Sequence, residues 1–407
     1  MKHLRNLILS IVVVGSIFGI SVLAIHLSQN SSVPGSTTPQ TAENGQNNES
    51  ITEIVPVAKE DFVVAGWIPD WGSPAGLASL KANNGLLTNI SPVWYEVAED
   101  GSIKDKTPAN SKQIIAAAQS SGIEITPTVA SFDHNILSKV FQDEAVFNRH
   151  LDQLKQISAR PEFAGIDLDY ESTKLADKDQ FYKLLGLLSQ DIRSRGKRLI
   201  FTALAQWGDT ISYKSLRETR QVQNWAKISE YADEIRVMAY DYTSPKALQP
   251  GPIAPYSWVK EVLEYAREEG EISKLVLGIH LYSYEWYMES SEYQQKKTDG
   301  IDPLAFTENS DFNLPISKTS ARSYTYDTVK KLVASLQEVP TQRDGEMTVR
   351  FMRQNPQTKK NEERILVYTT PEATKAKVDL ARSQGAKGVV FWRLGGDEDL
   401  LSQININ

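Results

Sequence analysis

Between Phe163 and Ser172 the chain reads FAGIDLDYES, with Asp167, Asp169 and Glu171 at strict two-residue spacing inside an apolar run. In a β-strand, residues i, i+2 and i+4 share a face. The three carboxylates would therefore crowd one surface, while Ile166, Leu168 and Tyr170 point the other way. Burying neighbouring acids costs desolvation and mutual repulsion. A protein accepts that cost where the acids do chemistry. Two plainer readings of the spacing stay open, a solvent-facing edge strand and a set of acidic ligands for a structural metal.

Such a row needs elements to position it. Short apolar runs recur as strand candidates at Phe62–Ile68, Ile90–Val97, Ile123–Ala130, Ala164–Glu171, Arg198–Ala205, Glu234–Asp241, Lys274–Tyr282 and Gly388–Gly395. Amphipathic stretches lie between most of them. SKQIIAAAQSSG carries a serine placed to cap a helix and a glycine to stop it. DQFYKLLGLLSQDIRSRG has apolar residues at three- and four-residue spacing. This alternation predicts an α/β fold, a (β/α)₈ TIM barrel. A doubly wound open sheet is the alternative, but no Gly-rich phosphate loop follows the first strand. Between the seventh and eighth strands, Tyr326–Glu338 reads as a helix, and Glu346–Gln354 with Glu363–Thr370 reads as a hairpin. A small α+β insertion over about residues 287–363 is expected there, forming one wall of a cleft.

In such a barrel, catalytic groups sit at the carboxyl ends of the strands. Glu171 falls at the end of the fourth strand, with Asp167 and Asp169 pointing inward below it. Tyr240 and Asp241 end the sixth, and Trp392 lies near the end of the eighth. These residues come from distant parts of the chain and converge on one rim.

Composition narrows the function. The chain has 407 residues, 41% hydrophobic and 23% charged, within the ordinary range for a globular protein. A net charge of −7 argues against nucleic-acid binding, which uses a basic face. With no cysteine, disulfides, thiolate catalysis and Cys-based zinc sites are excluded. At the N-terminus, Lys2, His3 and Arg5 precede an apolar run from Leu7 to Leu27 that is long enough to span a bilayer. The basic flank predicts a cytoplasmic N-terminus and a membrane anchor within residues 1–27. Val22–Ala24 would suit cleavage of a signal peptide instead. In both cases the remainder lies outside the cytoplasmic membrane. Residues 28–60, rich in Ser, Thr, Asn, Gln, Pro and Gly, read as a flexible tether, and the folded domain runs from 61 to 407.

GIDLDYE resembles the D-G-x-D-x-D-x-E signature of family 18 glycoside hydrolases. MAYDY (Met238–Tyr242) resembles that family's M-x-Y-D on strand six, and GVVFW its last strand. GPIAPYSWV, LGIHLYSYEW and FWRLGGDEDL are similar to the spore-germination, cortex-lytic N-acetylglucosaminidase-like branch. The likeness extends over about residues 61–402, with one departure: Ala164 stands where the family has its first Asp.

The resemblance implies substrate-assisted hydrolysis, in which the N-acetyl oxygen of the sugar attacks the anomeric carbon. Glu171 would protonate the leaving oxygen and then activate water. Asp169 would orient the acetamide, Asp167 would tune Asp169, and Tyr240 would hydrogen-bond the acetamide oxygen. Asp241, Trp392, Trp67, Tyr95 and Gln206 are expected to contact sugar. Trp67 and Tyr95, like Trp71, Trp94 and Trp207, fall near strand ends, where cleft lining and core packing are equally good readings. His134 and His280 read as structural. No metal or cofactor is expected. The expected partner is a polysaccharide containing N-acetylglucosamine, peptidoglycan before chitin, acted on by a monomer. A glycan-binding module on an inactivated barrel and a scaffold for envelope assembly are the competing classes.

Overall fold

The computed structural model describes residues 62–208, 214–247, 250–288, 321–354, 359 and 361–406. The apolar run Leu7–Leu27 and the tether lie outside the described residues. Among the described residues no helix is long and apolar enough to cross a membrane.

Eight parallel strands form the barrel: β1 (Val63–Pro69), β2 (Asn89–Val97), β3 (Thr128–Ser131), β4 (Gly165–Tyr170), β5 (Arg198–Leu204), β6 (Glu234–Met238), β7 (Leu275–His280) and β8 (Gly388–Trp392). Each pairs in parallel with its sequence neighbours. Closure comes from β1, which pairs with both β2 and β8. The chain is therefore a (β/α)₈ TIM barrel, as the alternation of strand and helix patterns predicts.

The helices take their places by burying apolar stripes against the outside of the strands. Lys178–Ser194 buries Phe181, Leu184, Leu185, Leu188 and Ile192. Glu144–Ala159 starts at Asp143, whose side chain accepts hydrogen bonds from the amides of Ala145 and Val146, satisfying donors at the helix start. The expected serine cap of the second helix is corrected. Ser111 is the first helical residue, and the cap position belongs to Asn110, without a side-chain bond.

Parity along β4 divides two environments. Ile166, Leu168 and Tyr170 join the main apolar cluster between strands and helices, where each is fully buried. Asp167 and Asp169 take the opposite parity and face the barrel interior. Below them the interior is polar. Arg236 of β6, fully buried, donates to Ser91 Oγ at 2.6 Å and Asn89 Oδ1 at 2.8 Å. It also lies 3.3 Å from Glu234 Oε2 and 3.9 Å from Asp167 Oδ2.

Between β7 and β8, an antiparallel sheet runs in the order Arg322–Thr325, Tyr282–Met288, Asn361–Tyr368, Glu346–Gln354, Thr341–Arg343. One face packs on the helix Tyr326–Ala334 through Val329, Val349, Phe351, Leu366 and Tyr368. The other face gathers Ile253, Tyr284, Trp286, Ile365 and Val367, with Tyr240 and Tyr282 against it. The first strand of this sheet starts two residues after β7, earlier than the apolar pattern suggests. LGIHLYSYEW runs on with no turn residue to mark the change from barrel to insertion.

Candidate active site

Asp167 anchors the row. Its Oδ2 accepts from Trp67 Nε1 at 3.0 Å and Thr128 Oγ1 at 2.9 Å, and its Oδ1 accepts from Thr202 Oγ1 at 2.8 Å. The register explains the convergence. Thr128 on β3 is the direct neighbour of Asp167, while Thr202 reaches it from β5 on the other side.

Asp169, one rung higher, differs sharply. Its Oδ1 is buried and has no hydrogen-bond partner among the described residues. Burial, then the charges of Glu171 and Asp167, push its carboxyl well above the usual carboxylate range. A buried unpartnered acceptor is costly. At the carboxyl end of β4, this oxygen can accept a hydrogen bond from a group in the cleft.

Glu171 follows the last residue of β4, and its amide donates to the carbonyl of Ser131. Burial first, and the nearby charge of Asp241 second, raise its carboxyl to about 7. A carboxyl raised this far can keep its proton near neutral pH, which is what a general acid requires.

Tyr240 and Asp241 arrive from the end of β6. Tyr240 has room because β7 carries Gly278 beside it, where a Cβ would lie 2.5 Å from the carbonyl oxygen of Val237 and 3.2 Å from Tyr240 Cε1. Burial and the charges of Asp169, Asp241, Glu171 and Asp167 raise its phenol pKa, keeping the hydroxyl a proton-bearing donor. Asp241 has φ of 59°, in the left-handed region that few non-glycine residues occupy. Its Oδ1 accepts from the hydroxyls of Tyr282 and Tyr284, the latter at 2.9 Å. One side of this carboxylate is open to solvent, but the protein packed around the rest raises its pKa against the two hydrogen bonds that lower it.

The structure thus brings Asp167, Asp169, Glu171, Tyr240 and Asp241 together, with Trp392 half-buried beside them and its ring 5.9 Å from that of Trp67, edge to face. Three of the residues expected to contact sugar are buried and bonded within the protein. Trp67 is 2% exposed and works from below as the donor to Asp167. Tyr95, 3% exposed, takes a 2.9 Å hydrogen bond from Arg160 in the outer layer. Gln206 is 1% exposed and is engaged by the carbonyl of Gln223 and the hydroxyl of Tyr265. Of the remaining tryptophans, Trp94 is fully buried and Trp207 packs on Trp258 and Tyr242. Trp71 is 55% exposed, with the Arg393 guanidinium stacked 4.2 Å from its ring centre.

Sequence reasoning misses Thr128, Thr202, Tyr282 and Tyr284. The polar threonines in the apolar strands TPTVA and IFTAL are a signal that the barrel interior there is not apolar.

A barrel carrying a raised carboxyl above a buried row of acids at the strand ends defines a glycosidase. Residues 65–397 match the glycosyl hydrolases family 18, and the chain belongs to that family. Among its relatives, the uncharacterized glycosylase YvbX of Bacillus subtilis is 22% identical over 81% of this chain and 86% of its own length. The cortical fragment-lytic enzyme of Bacillus anthracis is 21% identical over 77% of this chain and 66% of its own. The fold is also that of the crystallised Bacillus cereus spore cortex-lytic enzyme SleL, with a TM-score of 0.67 and 17% identity over 84% of this chain and 74% of that one.

Proposed function

We propose that this chain is an extracytoplasmic glycosidase that cleaves glycans next to N-acetylglucosamine by substrate-assisted, retaining catalysis, with peptidoglycan as its substrate in preference to chitin. The observation that carries the mechanism is the unpartnered, buried Oδ1 of Asp169 between an anchored Asp167 and a raised Glu171. An acetamide N–H supplies the donor that Asp169 lacks. With the acetamide so held, its carbonyl oxygen bonds to the anomeric carbon as the C1–O bond to the leaving sugar breaks and Glu171 delivers its proton to that oxygen. The resulting oxazolinium is opened by water, which gives a proton to the Glu171 carboxylate and attacks the same carbon. Two inversions leave the anomer retained. Tyr240 donates to the acetamide oxygen, Asp241 bonds sugar or acetamide, and Trp392 offers its half-buried ring to the apolar face of the sugar.

Ala164 does not weaken this reading. It precedes β4, shares the outward parity of Ile166, and serves through its backbone alone, to Ile125 and Arg198.

The preference for peptidoglycan draws on the cortex-lytic relatives and on Trp71 with Arg393. An exposed indole suits a sugar face, and a guanidinium suits a carboxylate, which peptidoglycan carries and chitin lacks. Digestion of purified peptidoglycan strands and chitin oligomers, read by mass spectrometry, tests the reading. Wild-type enzyme is expected to release reducing ends faster from peptidoglycan, and Arg393→Gln to lose that advantage while keeping its rate on chitin oligomers. A faster rate on chitin would reverse the preference. The basic start and apolar run at Leu7–Leu27 support an anchor that holds the barrel outside the membrane. Recovery of only a shortened, soluble form on membrane fractionation would replace the anchor with a cleaved signal.

A further inference from the structure

Asp241 is a member of the acidic site held by the α+β insertion. Both hydroxyls that reach its Oδ1 come from the first insertion strand, at alternate positions on one face, Tyr282 and Tyr284. The tyrosine rings lie 5.1 Å apart, and Tyr240 meets Tyr282 edge-on at 6.2 Å. Behind them, the insertion is fastened to the barrel by a buried carboxylate. Glu346 accepts from the amides of Ile253 at 2.6 Å and Ala254 at 3.1 Å, and from Lys377 Nζ at 2.9 Å. His280 Nε2, at the end of β7, lies 3.2 Å from the same oxygen that Lys377 reaches. The loop after β6, the helix Pro371–Ser383 and β7 thus converge on one residue of the insertion. A left-handed aspartate persists only where its surroundings over-determine it, and two hydroxyls on a bolted strand do so here.

We propose that the insertion is a positioning arm of the active site, in which Tyr282 and Tyr284 hold Asp241 in place as the charge against which Glu171 works. Neither tyrosine is a catalytic residue in this account. Both act through Asp241, and the inference rests on Glu171 being the acid.

The sign of the effect follows from the groups that face the pair. Glu171 is met by Asp241 from the end of β6 and by Asp169 from β4. Asp241 is met by Tyr282 and Tyr284 from the insertion and by His280 from β7. The two hydroxyls favour the ionised form of Asp241, and that negative charge disfavours ionisation of Glu171. Without the hydroxyls, Asp241 holds its proton to higher pH, its charge on Glu171 is lost, and Glu171 ionises more readily. Tyrosine to phenylalanine therefore moves the Glu171 titration to lower pH.

The test is titration of Glu171 by carboxyl-carbon NMR in the full chain, with Tyr282→Phe, Tyr284→Phe and Asp241→Asn variants beside wild type. Each variant is expected to lower the Glu171 midpoint by about one unit, the scale on which a single neighbouring charge acts. Tyr284→Phe combined with Asp241→Asn should shift it no further than Asp241→Asn alone, because the two changes act through one group. A Glu171 midpoint that stays put in a folded Tyr→Phe variant, or full additivity in the double variant, overturns the proposal. A role limited to packing would lower the melting temperature and leave the titration unmoved. The titration needs no turnover, so a wild-type enzyme that failed to cut any glycan would defeat the functional reading while this experiment still decided the role of the tyrosines.

Discussion

Trp67 Nε1 donates a 3.0 Å hydrogen bond to Asp167 Oδ2 across 100 residues of sequence, at the bottom of the acidic row. It shares that oxygen with Thr128, while Thr202 holds the other. Trp67→Phe keeps most of the ring and removes the donor, leaving a buried carboxylate one partner short. The expected cost is about 1–3 kcal/mol of stability, read by urea denaturation. Turnover should fall with little change in KM, because in the proposed mechanism Asp167 steadies Asp169 and touches no sugar. Unchanged stability and turnover would show that the indole only fills space.

For Glu171, general acid–base assistance contributes about 10²–10⁴-fold, so Glu171→Gln should lose at least that much turnover and still bind glycan. The raised pKa also affects stability. Its midpoint in the folded state is about 7, against an ordinary 4.5, so the folded state binds the extra proton between those values. Stability from this group is full below about pH 4.5 and is lost as pH rises toward 7. Denaturation of wild type and Glu171→Gln across that window should show the wild type losing more stability. Parallel curves would mean that Glu171 titrates normally.

A third expectation concerns Glu346. Burial works against its charge, but Lys377 and His280 hold its carboxyl well below the usual range. Glu346→Gln leaves the buried ammonium of Lys377 without its counter-charge, which should cost about 3–5 kcal/mol. Calorimetry at neutral pH measures this, and a loss below about 1 kcal/mol would mean that the insertion is fastened by its apolar face instead.

The acidic row was legible in the sequence because period-two polarity inside an apolar run has few meanings, and the barrel because eight such runs alternate with helical ones. Depth and facing were harder to read. Trp67 sits near a strand end, yet the stagger of the barrel places it level with Asp167, below the cleft. Tyr95 shares its alternation with Ser91 and Val93 in sequence, but the β2–β3 register shifts between Val93 and Tyr95. A bulge of this kind reverses facing, and Tyr95 ends against Arg160. Gln206 lies beyond the end of β5, where its fate depends on Gln223 and Tyr265, far along the chain. The Tyr282–Asp241 and Tyr284–Asp241 contacts join residues 41 and 43 apart through the strand Tyr282–Met288, whose start no turn residue marks.

The central claim is that the substrate supplies the nucleophile and Asp169 holds it. Turnover on matched oligomers, acetylated or deacetylated only at the sugar on the cleavage site, tests this most directly. The account predicts rapid cleavage of the acetylated oligomer, with the anomeric configuration retained, and resistance of the deacetylated one even when it binds. Equal rates on the two would contradict substrate assistance and require a protein carboxylate to attack the sugar.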